Sequence, residues 1–254
     1  MKMDLTDKIA LITGAAGQLG RVMVRTLAEC GADVVIHYRG SQAKAEELQR
    51  EVESMGRRAF PVQADVTDQA SVNAMRDAVL AHFGVLPHII VANAVESYQW
   101  TSVLEQAPED YESQFQSCVM QSVYLAKAFV PAMIERQGGR FIGINTECSI
   151  QNFPSQSAYV AGKRGMDGVY RVLAKEIGEH GITVNQVAPG WTISDRDREN
   201  GTEHSASYEA SVPLKRRGTD QEIANAVAFL ASDLSSFITG AYIPVCGGNV
   251  MVGI

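Results

Sequence analysis

Residues 13–20 read TGAAGQLG and sit between the apolar run KIALIT (8–13) and the helix-like QLGRVMVRTLAECG (18–31). At a strand-to-helix turn, glycines permit a tight bend, let backbone approach a pyrophosphate and let the helix pack closely on the sheet. The free N–H groups of the helix N-terminus then face the anion. Gly14, Gly17 and Gly20 recur at intervals of three, a G-x-x-G-x-x-G rather than the literal G-x-G-x-x-G. The spacing alone is weak; its position between a strand-like and a helix-like run gives it meaning. The stretch is read as a dinucleotide turn built by Gly14, Gly17, Gln18, Leu19 and Gly20, with Gln18 bulky where a third small residue is expected.

Outward from this turn, short Val- and Ile-rich runs alternate with longer helix-period segments, the pattern of βαβ units around a parallel sheet. Strands are predicted at 8–13, 33–38, 59–64, 88–93, 140–145, 182–187 and 241–246. Helices are predicted at 18–29, 42–55, 68–83, 109–136, 156–179 and 219–231, several ending at Gly31, Gly56, Gly84 or Gly181. The expected fold class is α/β, a single-domain Rossmann-type doubly wound parallel sheet of about seven strands flanked by helices, spanning 1–254. Residues 191–212 are polar, charged and aperiodic, and are expected to form a mobile or substrate-covering loop.

Composition narrows the function classes. A net charge of -7 argues against a nucleic-acid or anionic-membrane surface, and the short run Lys215-Arg216-Arg217 is read as a local loop feature. Cys30, Cys118, Cys148 and Cys246 are widely spaced, with no C-x-x-C pair and no metal-ligand spacing, so free thiols and no metal are expected. No run approaches about 18 uninterrupted apolar residues, and the N-terminus has no h-region, so a cytoplasmic location is expected.

The end of the second strand separates the two nicotinamide dinucleotides. An acid there hydrogen-bonds the adenosine ribose, whereas a base accommodates a 2′-phosphate. After DVVIHY come Arg39, Gly40 and Ser41, with no acid before Glu46, which favours NADP(H). Tyr159 and Lys163 lie four apart at the start of a predicted helix and so share one face. A nearby ammonium favours a phenolate, so Lys163 is expected to lower the Tyr159 pKa from its usual value near 10 and make it a usable acid or base.

Taken in order, TGAAGQLG, Asp65-Val66, Ala92-Asn93-Ala94, Tyr159-Val160-Ala161-Gly162-Lys163, Ala188-Pro189-Gly190 and the tail ITGAYIPVCGG resemble the landmarks of the short-chain dehydrogenase/reductase family, nearly end to end. Length and tail are similar to the branch of the 3-oxoacyl carrier-protein reductases. The resemblance implies that Tyr159 protonates a substrate oxygen, Lys163 holds the nicotinamide ribose, and Thr146, thirteen residues before Tyr159, stands for the catalytic serine. It maps the family's fourth catalytic residue, an Asn serving a proton path, onto Cys118. It also implies cofactor contacts at Asp65, Val66, Asn93, Ala94, Pro189, Gly190, Thr192 and Ser194. Val95 replaces a family Gly, and Cys246 a family Asp.

These readings imply an NADP(H)-dependent oxidoreductase interconverting a small-molecule carbonyl and a secondary alcohol, a 3-oxoacyl thioester or related keto compound included. A homotetramer is expected by resemblance. The alternative is an NADP(H)-binding protein with weak or no catalysis, serving as sensor or assembly partner, motivated by Gln18, Val95 and Cys118. Ser97, Tyr98, Trp100, Glu147, Gln151 and Trp191 are candidates for lining the substrate pocket. Arg196, Arg198 and His204 are candidates for meeting an anionic substrate, although such charges more often belong to a solvated face.

Overall fold

The computed structural model describes residues 3–251. Its centre is β1 (Ile9–Ile12), whose four residues are all buried, as a strand covered on both faces requires. Alternation splits them: Ala10 and Ile12 join one apolar cluster with Met23, Leu27, Ile223 and Val227, whereas Ile9 and Leu11 join the other with Val72, Leu125, Phe129 and Tyr170. The first cluster is closed by α1 (Gln18–Glu29) and α10 (Asp220–Ala231), the second by α3 (Gln69–Phe83), α5 (Gln121–Glu135) and α7 (Ser157–Ile177).

The remaining strands are β2 (Asp33–Tyr38), β3 (Ala59–Gln63), β4 (Ile89–Ala92), β5 (Gly139–Ile144), β6 (Ile182–Pro189) and β7 (Tyr242–Val245), and α2 (Gln42–Ser54) links β2 to β3. All seven strands form one parallel sheet in the order β3-β2-β1-β4-β5-β6-β7. The chain runs outward from β1 to β3 and returns to place β4 against β1. This reversal opens a crevice beyond the carboxyl ends of β1 and β4, where such sheets bind ligands.

All seven predicted strands and six predicted helices are present, most within two residues of the expected bounds. The predicted 109–136 helix is α4 (Pro108–Gln114), a π-helical turn (Phe115–Met120) and α5 in continuous succession. By length and composition this run is apolar enough to cross a membrane, but 56% of its most apolar window is buried inside the fold, as in a core helix.

Residues 191–212, read as aperiodic, hold local helical structure. They carry two short helices, α8 (Asp195–Asn200) and α9 (Ala206–Ser211), and the segment is clamped in place. Ser194 and Asp197 form a reciprocal capping box at the start of α8. Arg217 is 2% exposed. Its guanidinium donates to the Asp197 carboxylate at 2.7 Å and to the Thr192 carbonyl at 3.1 Å, and it lies 4.3 Å from the Trp191 ring centroid. Arg217 is thus the buried anchor of this segment and no local loop feature; a charge buried this far is held only by such partners.

Candidate active site

The glycine turn is fixed from below by His37 on β2. Gly14, at φ +62°, donates its N–H to His37 Nδ1 at 3.0 Å, and Ala15 N–H reaches the His37 carbonyl at 2.9 Å. Because Nδ1 accepts, the ring proton sits on Nε2, which donates to the Ala64 carbonyl at 3.1 Å. Burial holds the imidazole neutral, with its pKa lowered to about 4. Gly20 is required by contact: a Cβ there would lie 2.7 Å from the Ala15 Cα. Gln18, the odd residue of the turn, sends its amide to the Ile193 carbonyl at 2.7 Å, tying the turn to the segment after β6.

Beside the turn, the Thr13 hydroxyl accepts from the N–H groups of Asn93 and Ala94 at 2.9 and 3.0 Å and donates to Gln121 Oε1 at 2.6 Å. Asn93 Nδ2 donates to the Thr13 carbonyl at 2.9 Å, and Gln121 Nε2 to the Ala94 carbonyl at 2.8 Å. These bonds hold the end of β4 against β1. Val95, standing where the resemblance expects Gly, is 45% exposed and does not close the crevice.

A cavity of about 350 Å³ opens over this floor. Gly14, Gly17, Gln18, Leu19, Gly20, Arg39, Val66, Asn93 and Ala94 line it, together with Ser117, whose buried hydroxyl has no hydrogen-bond partner. Arg39 is ion-paired with Glu96, which lines the same cavity. Sequence reasoning missed Glu96, since nothing local links it to a residue 57 positions away.

Other expected cofactor residues stand apart from this cavity. The Asp65 carboxylate accepts from Thr67 N–H at 2.9 Å and from its hydroxyl, which lowers the Asp65 pKa. Pro189 ends β6, Gly190 N–H bonds the Val245 carbonyl at 3.0 Å, and the Thr192 hydroxyl returns to the Gly190 carbonyl at 3.1 Å. The Ser194 hydroxyl is engaged in capping α8.

Tyr159, Lys163 and Thr146 do converge. Asn145 Oδ1 accepts the Thr146 N–H at 2.9 Å, while Asn145 Nδ2 donates to the Lys163 carbonyl at 3.1 Å and Gln186 Oε1 at 2.7 Å. One buried amide therefore sets the end of β5 against α7. The Thr146 hydroxyl accepts the Cys148 N–H at 3.2 Å, and Thr146 and Tyr159 are close enough to act on one another electrostatically. Lys163 is 3% exposed; its Nζ donates to the Ile144 carbonyl at 2.6 Å and lies 5.7 Å from the Tyr159 ring centroid.

The expected lowering of the Tyr159 pKa is not found. Burial pushes it well above its usual value, and the facing thiols of Cys118 and Cys148 act in the same direction. The Lys163 ammonium is turned toward the Ile144 carbonyl. Tyr98 stacks on Tyr159 with centroids 5.3 Å apart and planes 16° apart, and Trp100 stacks on Tyr98 at 6.1 Å. Cys118 lies buried in the π-helical turn, and its carbonyl accepts the Ser122 hydroxyl at 2.8 Å.

Glu147 is 3% exposed and makes no ion pair among the described residues. It accepts from the Tyr208 hydroxyl at 2.9 Å and from Asn249 Nδ2 at 3.1 Å, while Tyr208 accepts the Trp191 N–H at 2.8 Å. Burial raises the Glu147 pKa. The residue joins the Thr146 loop, α9 and the tail. Arg198 is taken up by Asp195 and Asp220, and His204 lies beside Glu209. Cys118, Cys148 and Cys246 are free thiols.

A glycine-floored cavity at the β1/β4 switch point of a parallel sheet, in a chain that also gathers Tyr159, Thr146 and Lys163, fits the dinucleotide-dependent oxidoreductase class. Residues 14–249 match the family model described as enoyl-(acyl carrier protein) reductase. The 3-oxoacyl-[acyl-carrier-protein] reductase FabG of Staphylococcus aureus (strain N315) is 35% identical over 261 aligned positions, covering 99% of this chain and all of the relative. The enzyme of the same name from Escherichia coli (strain K12) is 35% identical over 250 positions, covering 98% and 100%.

Among solved structures, a blue fluorescent protein from a metagenomic library in complex with NADPH superposes with a TM-score of 0.89 at 31% identity, covering 98% of this chain and 100% of that one. An NAD+-bound xylitol dehydrogenase superposes with a TM-score of 0.89 at 26% identity, covering 96% and 99%. The chain belongs to the short-chain dehydrogenase/reductase family, and it is similar to the 3-oxoacyl-[acyl-carrier-protein] reductases within it.

Proposed function

We propose that this protein is an NADP(H)-preferring reductase that converts a carbonyl to a secondary alcohol, with a 3-oxoacyl thioester or related keto compound as substrate. The carrying observation is the gathering of Tyr159, Thr146 and Lys163, with Lys163 Nζ 5.7 Å from the Tyr159 ring centroid and Asn145 bonded to both Thr146 and Lys163. The residues fit a dinucleotide: Gly20 lets the turn close where a Cβ would meet backbone, α1 has no acid in its first turn, and the Ser117 hydroxyl lining the cavity has no partner. Arg39 supports the phosphorylated form, because among the described residues it is the one guanidinium or ammonium lining the cavity. The bound dinucleotide supplies hydride.

Tyr159 holds its proton at neutral pH and donates it to the substrate oxygen, while Thr146 donates a second hydrogen bond to the same atom. Fixed donors aimed at a developing oxyanion supply the larger part of such a rate. Lys163, 5.7 Å from the Tyr159 ring, offsets the charge left on Tyr159, and would hold the nicotinamide ribose of a bound dinucleotide on leaving the Ile144 carbonyl. Segment 191–212 covers the substrate, anchored through Glu147 and Arg217. A cytoplasmic homotetramer belongs to this reading.

The stacking of Tyr98 on Tyr159 favours a second reading, a dinucleotide-binding protein without turnover. Tyr159→Phe discriminates. Under the first reading it lowers turnover of a keto substrate by at least about 100-fold and leaves the NADPH Kd unchanged. Equal turnover in variant and wild type supports the second.

A further inference from the structure

The crevice lies at the carboxyl ends of the strands, yet a second cavity, of about 320 Å³, lies at their amino ends. It is bounded by Lys8, just before β1, His88, just before β4, Arg136, at the end of α5, and Arg140, on β5. Three cations thus arrive from separate elements of a chain whose net charge is -7. Among the described residues, Asp233 is the one carboxylate lining the cavity; it accepts from Arg140 Nη2 at 2.9 Å, and its side chain is 86% exposed.

The donors there are incompletely used. Arg140 Nη1 donates to the Gly139 carbonyl, but its buried Nε has no partner. Arg136 spends Nε on the Ala132 carbonyl and Nη1 on the Leu86 carbonyl, and its Nη2 makes no hydrogen bond among the described residues. Lys8 has no ion pair among them. His88 Nδ1 accepts the Ile9 N–H at 3.1 Å, so its proton is on Nε2, a further donor. Burial, and after it the Arg136 and Lys8 charges, lower the His88 pKa to about 4.

We propose that this cavity is an anion site for a small phosphate-type dianion, free or as the phosphate end of a larger compound. Cations converging from several sides suit a tetrahedral oxyanion better than the two oxygens of a carboxylate. The uncompensated charge of the lining, two positive units once Asp233 is counted, matches a dianion. β1 separates the site from the glycine turn: its four residues span roughly 13 Å. Ligand here and dinucleotide there can be bound together.

The experiment is a titration of the full chain with inorganic phosphate at pH 7.5, followed by NMR of the labelled histidines, in wild type, Lys8→Glu, Arg140→Gln and Arg39→Ala. The expected result is saturable binding with a Kd of about 1 mM that shifts His88 Nε2 and raises the His88 pKa. Binding weakens by at least about tenfold in Lys8→Glu and is retained in Arg39→Ala. Lys8 is partly exposed, so its variant keeps the fold if Arg140→Gln does not. Glycerol phosphate is the second arm: tighter binding than inorganic phosphate assigns the site to a phosphomonoester, and equal or weaker binding to the free ion. The proposal is overturned if His88 does not respond, if Lys8→Glu binds as wild type does, or if binding disappears only in Arg39→Ala.

Discussion

Glu96→Gln is expected to strengthen NADPH binding selectively. Arg39 and Glu96 face one another across the adenosine end of the cavity, with side chains 60% and 28% exposed. A 2′-phosphate taking Arg39 must first release Glu96, and a pair this exposed contributes about 0.2–1 kcal/mol. The released carboxylate then stands beside the phosphate, and like charges about 4 Å apart in water repel by about 1 kcal/mol each. Removing both terms gives about 1–2 kcal/mol, a 5- to 30-fold lower NADPH Kd. The NADH Kd should move less than about twofold, because a neutral 2′-hydroxyl feels neither term strongly. Fluorescence titration of both dinucleotides against wild type, Glu96→Gln and Arg39→Ala measures this. An unchanged ratio of the two Kd values in Glu96→Gln refutes the argument; absence of NADPH binding in every protein refutes the cofactor assignment itself.

Three further outcomes follow from the geometry. Gly20→Ala should cost about 2–4 kcal/mol in denaturant unfolding and abolish dinucleotide binding, since its Cβ meets backbone. Gly17→Ala, at φ -79° with only the Gly14 carbonyl at 3.2 Å, should cost under about 1 kcal/mol; equal effects would contradict the assigned roles. Because burial holds the Tyr159 proton, carbonyl reduction should be flat from about pH 6 to 9 while alcohol oxidation rises with pH. A reduction rate falling with an apparent pKa near 7 would show the phenol acidified. His37, with a folded pKa of about 4 against about 6.5 unfolded, contributes fully above pH 6.5. As pH falls toward 4 the unfolded chain takes the proton first, and on the order of 3 kcal/mol is lost; melts in which His37→Gln loses as much stability as wild type between pH 7 and 4.5 would count against it.

Residues whose partners are sequence neighbours were the legible ones. The fully buried β-branched runs around Ile9–Ile12 and Asp33–Tyr38 read as strands because burial on both faces leaves a local signature. Gly20 was legible because only close backbone approach demands it. Residues 191–212 read as aperiodic because six-residue helices are too short to show a period, although Ser194-x-x-Asp197 carried a capping-box signal. Tertiary placement decides the remainder. That Lys163 turns to Ile144 and that Tyr98 covers Tyr159 follow from how β4, β5 and α7 meet, which their spacing does not encode. His37 and His88 look alike as strand-end histidines, yet one braces the glycine turn and the other borders the cationic cavity.

Gln18 gives the turn a mechanical neighbour that a glycine there could not supply. Its amide on the Ile193 carbonyl links the first residue of α1 to the run leading into α8, 175 positions later. A dinucleotide settling on the turn would therefore bear on the same piece of chain that, under the proposed function, covers the carbonyl substrate. The expected consequence is a compulsory sequence of events in each turnover: nucleotide enters an open site, its arrival sets the cover, the carbonyl compound follows, and the nucleotide leaves last.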